Sequence, residues 1–330
     1  MNNNMHKLIA QFPANITEAF QIASEMKYQK PANAIHNIVV CGMGGSGIGA
    51  KLAVQWTQDE LKIPVIFLQD YYLPHFVNEN SLVIGSSYSG NTEESLETIQ
   101  KAHARGAHIV GVCSGGKLAA FCKDNGFDCA IVPSGNQPRA AVAFSLIQIL
   151  NLFFQLEFIQ GNVLESVEMG RRLIVAEATE IQEEAKKLAA FLKDKVIAIY
   201  ATSAYEAVAI RAKQQFNENG KLLCWQHVLP EMNHNELVAW GGGDNRFGAL
   251  FLETNEEHPQ NVKRIQFTKD YLKTRTDFVY TLNAIGNSTV ERSIYFINVV
   301  DWASYYLSEL KGIDVNEIVI VEGLKKFLEA

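Results

Sequence analysis

Basic residues are in short supply. Lys and Arg together number 29 against 36 Asp and Glu, a formal net charge of −7. Nucleic-acid binders carry a basic footprint, so that class is excluded. Anionic small ligands are not, because a local cluster of donors is enough to hold them. Cysteine is sparse as well. Cys41, Cys113, Cys122, Cys129 and Cys224 make an odd count, with no CxxC pair and no metal-ligand spacing. They read as reduced thiols. Long hydrophobic runs are missing too. The longest, AAVAFSLIQILNLFF (140–154), is broken by Ser145, Gln148 and Asn151 and falls short of the ~20 residues of a membrane span. It reads as a buried helix. The opening residues, MNNNMHKLIAQFPANITEAF, lack the basic start and apolar stretch of a signal peptide. A cytoplasmic protein is expected, with no membrane and no nucleic-acid partner. Asn15-Ile-Thr17 and Asn287-Ser-Thr289 match the glycosylation pattern, which has no consequence without secretion.

What is present suits two α/β domains. At roughly 150 residues per domain, 330 residues suggest two. Short β-branched runs alternate with helical stretches, the pattern of a mainly parallel sheet flanked by helices. Strands are expected at 35–42, 63–68, 81–87, 108–114 and 129–134, with helices at 46–56, 91–106 and 137–156. A helical stretch over 161–193 joins the halves, and the scheme then repeats. Strands are expected at 195–201, 221–226, 246–253 and 278–282. Ser203-Ala-Tyr-Glu206 and Ser288-Thr-Val-Glu291 read as capping boxes that open helices to about Phe216 and Leu310. Further helices are expected at 258–274 and in the tail. The division expected is 1–160 and 161–330.

Two loops carry the chemistry of the first half. Gly42-Met-Gly44-Gly-Ser-Gly47 satisfies GxGxxG between a strand and a helix, the nominal dinucleotide fingerprint. The acidic residue that should hold a ribose is poorly supplied: Asp59 and Glu60 fall on the far side of the helix and Asp70 comes late. A tight turn that merely needs glycine is the plainer reading. The loop does offer backbone N–H groups and Ser46 at a helix start, an anion site. The second segment, Ile84-Gly-Ser-Ser-Tyr-Ser-Gly-Asn-Thr-Glu93, brings Ser87, Ser89 and Thr92 to another helix start. A simple N-cap would spend one of those hydroxyls. Three of them at the positive end of a helix favour a phosphate.

Ser86-Ser-Tyr-Ser-Gly-Asn-Thr-Glu-Glu resembles the phosphate loop of sugar isomerase (SIS) domains. Four further segments narrow the resemblance to the bifunctional phosphoglucose/phosphomannose isomerase family: Cys41-Gly-Met-Gly-Gly-Ser46, Pro133-Ser-Gly-Asn-Gln-Pro-Arg-Ala, Gln215-Phe-Asn-Glu-Asn-Gly-Lys and Leu229-Pro-Glu-Met-Asn-His-Asn-Glu236. They span both halves in the family's order. The resemblance implies two SIS domains, a homodimer with sites shared between subunits, and a phosphosugar substrate held by Gly44, Gly45, Ser46, Ser87, Ser89 and Thr92. No cofactor and no metal are implied.

Aldose–ketose isomerisation moves a proton between C1 and C2 through an enediolate. It needs a base, a group to open the sugar ring and positive charge near the developing oxyanion. The motif makes Glu218 the base. A carboxylate at a helix C-terminus, buried under substrate, has a raised pKa suited to proton abstraction. Read locally, a solvated carboxylate in a helix-ending turn is the favoured reading, and only the motif reverses it. His234 is the candidate for ring opening, with Asn233 and Asn235 to fix its tautomer; in the family it reaches the partner's site. Arg139 would stabilise the enediolate. Lys325 matches the family's C-terminal lysine, with Lys326 one register away. The Thr-Pro pair expected before it reads Asn316-Glu317 here, which leaves mannose chemistry open. Arg211 and Lys213 are either site-lining or solvated.

Three rival functions share parts of this pattern. A sugar-phosphate sensor would keep Ser87 to Thr92 but has no need of the Glu218 and His234 motifs. A nicotinamide-dependent dehydrogenase rests on Gly42 to Gly47 alone. An aminosugar-phosphate isomerase shares the loop and differs in substrate.

Overall fold

In the computed structural model, which describes residues 4–328, the alternation resolves into two parallel sheets. The chain divides into two compact units. One holds Ala10–Arg172 with Ser288–Glu291; the other holds the residues up to Ile9, Leu173–Asn287 and the chain from Arg292 onward.

Two helices, α1 (Asn4–Ala10) and α2 (Phe12–Glu25), precede the first strand. The first unit then builds β1 (Asn37–Cys41), α3 (Gly44–Thr57), β2 (Val65–Leu68), β3 (Ser81–Ser86), α4 (Glu93–Ala104), β4 (His108–Cys113), α5 (Gly116–Asn125), β5 (Asp128–Ile131) and α6 (Val142–Gln155). The strand order is β2-β1-β3-β4-β5, all parallel. Ile38 to Val40, Leu82 to Ile84, Ile109 and Val110 are almost wholly buried. Such unbroken apolar runs belong to parallel strands covered on both faces. The apolar stretch 140–154 is the buried helix expected: Val142 to Phe153 are all buried, and α6 packs on α2 and α3. Its start differs from expectation. Pro138–Ala140 forms a separate 3-10 turn ahead of the helix.

The order 2-1-3-4-5 puts the topological switch point between β1 and β3, where ligands bind outside the strand ends. The glycine loop leaves β1 there and the hydroxyl loop leaves β3.

The expected helical connection 161–193 is two helices, α7 (Asn162–Ala176) and α8 (Ala178–Leu192). The second unit continues with β6 (Val196–Thr202), α9 (Glu206–Glu218), β7 (Cys224–Leu229), α10 (Glu236–Ala239), β8 (Phe247–Glu253), α11 (Pro259–Leu272), β9 (Val279–Asn283), α12 (Thr289–Lys311) and α13 (Val319–Leu328). Its sheet runs β7-β6-β8-β9, again parallel.

Three local expectations meet corrections or support here. Ser288 caps α12 as expected: its Oγ accepts from Glu291 N at 3.2 Å and donates to Glu291 Oε1 at 3.0 Å. Ser203–Tyr205 instead forms a 3-10 turn, and α9 proper begins at Glu206. The strand expected at 221–226 starts three residues later. Lys221 takes a positive φ of 45°, and Gly220 packs so tightly on Leu307 that a Cβ there would lie 2.6 Å from its Cδ2. The turn that ends α9 is therefore longer than the local sequence suggests.

Candidate active site

In the first unit, the two loops and Arg139 come together around Ser46 and Tyr88. Gly44 opens α3 with φ 49°, and no side chain caps that helix. Ser46 Oγ accepts from Tyr88 N at 2.8 Å, and Ser86 Oγ donates to Ser46 O at 3.0 Å. The glycine loop and the hydroxyl loop are thus tied at two points. A Cβ on Gly45 would lie 2.6 Å from Pro138 O, so only glycine lets the Pro138–Arg139 backbone come this close. Arg139 is buried, 5 % exposed, and donates from Nη1 to Gln137 Oε1 at 3.1 Å. It is held against the glycine loop rather than on the surface.

The hydroxyls divide into two roles. Ser87 Oγ and Thr92 Oγ1 lie 2.8 Å apart. Thr92 stands at the N-cap of α4 but makes no capping hydrogen bond with its side chain. A simple N-cap therefore does not describe this segment. Ser89 is exposed, and its Oγ accepts from Asn91 N at 3.2 Å. Ser46 Oγ is engaged within the fold, so its contribution to an anion is mainly its place at the start of α3.

Tyr88 lies inside the hydroxyl loop, yet nothing in the sequence pattern singles it out. Its Oη donates to Pro133 O at 2.8 Å and accepts from Asn136 N at 2.9 Å. Ser114 N and Oγ both donate to Tyr88 O, at 2.8 and 2.7 Å. Burial pushes the phenol up, against a smaller opposing effect of Asn136, so it stays a donor. Tyr88 thereby joins the hydroxyl loop to the segment that leads to Arg139. The signal in the sequence is the motif itself; the partners of Tyr88 lie 26 to 48 residues away.

In the second unit, Glu218 is the last residue of α9 and is exposed. The helix end it faces is met by two ammonium groups. Lys221 Nζ donates to Glu218 O at 2.6 Å and to Glu317 O at 2.9 Å. Lys311 Nζ donates to Gly220 O at 2.8 Å and Lys221 O at 2.9 Å. The carbonyl end of α9 is thus met by ammonium groups rather than left bare. The Lys221 bridge also ties the end of α9 to the residues before α13, the helix of Lys325 and Lys326. Both lysines are exposed, and α13 has no buried residue among those described. Asn316, in place of the expected threonine, is partly buried, and its Oδ1 has no hydrogen-bond partner among the described residues.

Arg211 is neither site-lining nor solvated. It is 2 % exposed and pairs with Asp301 of α12 at 2.6 Å; Gln215 Nε2 donates to the other oxygen at 2.8 Å. Burial pushes the Asp301 carboxyl up, and Arg211 opposes that rise. The pair clamps α9 to α12.

His234 lies in a 3-10 turn, Glu231–His234, and is exposed. Neighbouring residues on β7 show where this turn sits. Cys224 Sγ approaches Lys213 O of α9 at 3.7 Å, while Trp225 Nε1 donates to Glu236 Oε1 at 2.8 Å. Successive strand residues point to opposite faces. The helix ending in Glu218 and the turn bearing His234 therefore pack on opposite faces of the sheet.

Two family models match the chain. The SIS domain model matches residues 33–146, and the model for the bacterial phospho-glucose isomerase C-terminal SIS domain matches residues 181–328. The chain is 37% identical over 334 residues to a bifunctional phosphoglucose/phosphomannose isomerase of Caldicellulosiruptor bescii, covering 98% of each. It is 34% identical to one of Aquifex aeolicus, covering 88% of this chain and 90% of that one. Among solved structures, the C-terminal domain of glucosamine-fructose-6-phosphate aminotransferase from Francisella tularensis superposes with a TM-score of 0.77 at 17% identity. It covers 96% of this chain and 99% of that one, and at that identity shows the fold alone. With near end-to-end identity above 30 % and both halves matched, the chain belongs to the bifunctional phosphoglucose/phosphomannose isomerase family.

Proposed function

We propose that this protein interconverts glucose 6-phosphate and mannose 6-phosphate with fructose 6-phosphate by proton transfer through an enediolate. The observation that carries the reading is the joining of the two helix-start loops at the switch point, with the backbone of a buried Arg139 close against Gly45. Helix N-termini with uncapped N–H groups suit a phosphate dianion. Gly44, Gly45, Ser46, Ser87, Ser89 and Thr92 hold it. Arg139 supplies the positive charge for the enediolate oxygen.

Glu218 takes the proton from one carbon and returns it to the next. His234 and Lys325 move protons to and from the ring oxygen and the C1 hydroxyl during ring opening. Because Glu218 and His234 belong to elements on opposite faces of one sheet, the reading also proposes a homodimer in which each His234 serves the partner's site. We assign the enzyme to the cytoplasm, and to a division of labour between 1–160, which binds phosphate, and 161–330, which carries the acid–base residues. Asn316-Glu317, standing where the family's Thr-Pro pair is expected, is where we place the preference between the glucose and mannose epimers.

The test is an assay without added metal, starting from fructose 6-phosphate and following both aldose products separately. Turnover to both is the expected result. Glucose 6-phosphate alone would remove the mannose half of the proposal. Binding of phosphosugar without turnover would overturn the enzyme reading in favour of a sensor.

A further inference from the structure

His234 sits between two anchors. On one side Asn233 Nδ2 donates to Thr268 Oγ1 of α11 at 2.9 Å. On the other, Asn235 caps α10 through Glu236 N, and Glu236 begins that helix. The Glu236 carboxylate is held by three side chains of the sheet. Oε1 accepts from Tyr200 Oη at 2.5 Å and from Trp225 Nε1 at 2.8 Å. Oε2 lies 2.7 Å from His227 Nδ1. Tyr200 Oη accepts in turn from Trp240 Nε1 at 2.7 Å, which fixes the chain just beyond α10.

This is a closed hydrogen-bond knot, with one carboxylate serving donors on β6 and β7. Tyr200 is fully buried, and its phenol is pushed up by burial first and by the Glu236 charge second, so it keeps its proton and donates. The carboxylate borders a cavity of about 210 Å³ lined by Trp225, Trp240 and Phe247. Its oxygens are already engaged with protein partners, which makes it a poor acid or base for a substrate in that cavity. A carboxylate that accepts several well-placed hydrogen bonds is suited to fixing geometry.

We infer that Glu236 is a positioning residue for the isomerase reaction: through Tyr200, Trp225 and His227 it locks the turn that presents His234. The inference rests on the proposed role of His234 in ring opening. Its distinguishing feature is that Glu236 acts only through His234. A group that orients a catalytic side chain governs turnover more than substrate affinity, since a misplacement of ~1 Å costs up to ~10²-fold.

The experiment is a double-mutant cycle on the full-length protein with fructose 6-phosphate: Glu236→Ala, Glu236→Gln, His234→Gln and the two double variants. Folding is checked by near-ultraviolet circular dichroism, which reads the environments of Trp225 and Trp240. Glu236→Gln is nearly isosteric and keeps the fold testable if Glu236→Ala unfolds. Expected are a kcat loss of roughly 10²-fold for Glu236→Ala with KM within about twofold, and a smaller loss for Glu236→Gln, which keeps an acceptor for Tyr200 and Trp225. In the His234→Gln background the same changes at 236 should add less than about threefold, because coupled residues are not additive. If both Glu236 losses carry over in full to the His234→Gln background, or if folded Glu236→Gln and Glu236→Ala both keep full kcat, the inference is overturned. If His234→Gln itself keeps full turnover, it is the role of His234 that fails.

Discussion

Replacing Gly45 by alanine should damage the proposed phosphate loop while leaving the fold in place. The new Cβ would lie 2.6 Å from Pro138 O and 2.9 Å from Pro138 C, against 3.4 Å for ordinary contact. The shortfall is about 0.8 Å, and both obstructing atoms are backbone, so no rotamer change relieves it. Either the start of α3 or the Pro138–Arg139 turn must move by about that distance. Overpacking of this kind costs about 1–3 kcal/mol of stability. At the site, a shift approaching 1 Å is worth up to ~10²-fold in rate. The expected result is a kcat/KM for fructose 6-phosphate lowered by roughly 30- to 100-fold in a protein that still unfolds cooperatively in urea. Gly126→Ala is the comparison. Gly126 has φ 70° with no atom within 4 Å of an added Cβ, so alanine there brings strain without displacement. It should cost about 1–2 kcal/mol and leave kcat/KM alone. The reasoning is refuted if folded Gly45→Ala keeps kcat/KM within twofold of the parent, or if both variants lose activity alike.

The Arg211–Asp301 pair gives a stability test. Asp301→Asn leaves a guanidinium buried without its charge partner and should cost about 3–5 kcal/mol by urea denaturation, whereas Arg211→Met with Asp301→Leu should recover most of it; a loss under ~1 kcal/mol would mean that the clamp between α9 and α12 lies elsewhere. The thiols give a chemical test. Burial pushes Cys41 and Cys224 up to about 12, and thiolate is the reactive form, so iodoacetamide at pH 8 should leave both unmodified in the native protein and label both in urea. Labelling of either within minutes under native conditions, read by peptide mass spectrometry, would contradict that burial.

The parts of this protein legible in its sequence are those whose physics is local. Strands announce themselves by β-branched runs, and the buried α6 by its long, mainly apolar stretch. The proposed phosphate loops are legible for the same reason. An anion at a helix start is bound by consecutive backbone N–H groups and nearby hydroxyls, so its signature must be contiguous. Capping shows how narrow the margin is: Ser288 caps α12 through Glu291 N, while Ser203 and Glu206 have the same spacing and open a 3-10 turn.

Proton transfer is a different kind of property. Whether Glu218 is buried, what meets the end of its helix and which face presents His234 depend on Lys311, Asp301, Tyr200 and Trp225, drawn from separate elements. A helix-ending carboxylate looks the same in sequence whether its dipole is bare or answered by two lysines. Glu236 makes the point most sharply. It closes the Leu229–Glu236 motif two residues from His234, yet nothing local distinguishes it from a solvated helix-start acid. Only the pairing of β7 with β6, Tyr200 opposite His227, places the donors that turn it into a fixed point. Contiguous residues therefore suffice to mark the loops as a candidate binding site, whereas the roles proposed for the acid–base residues depend on how the sheet is paired and which helices cover it.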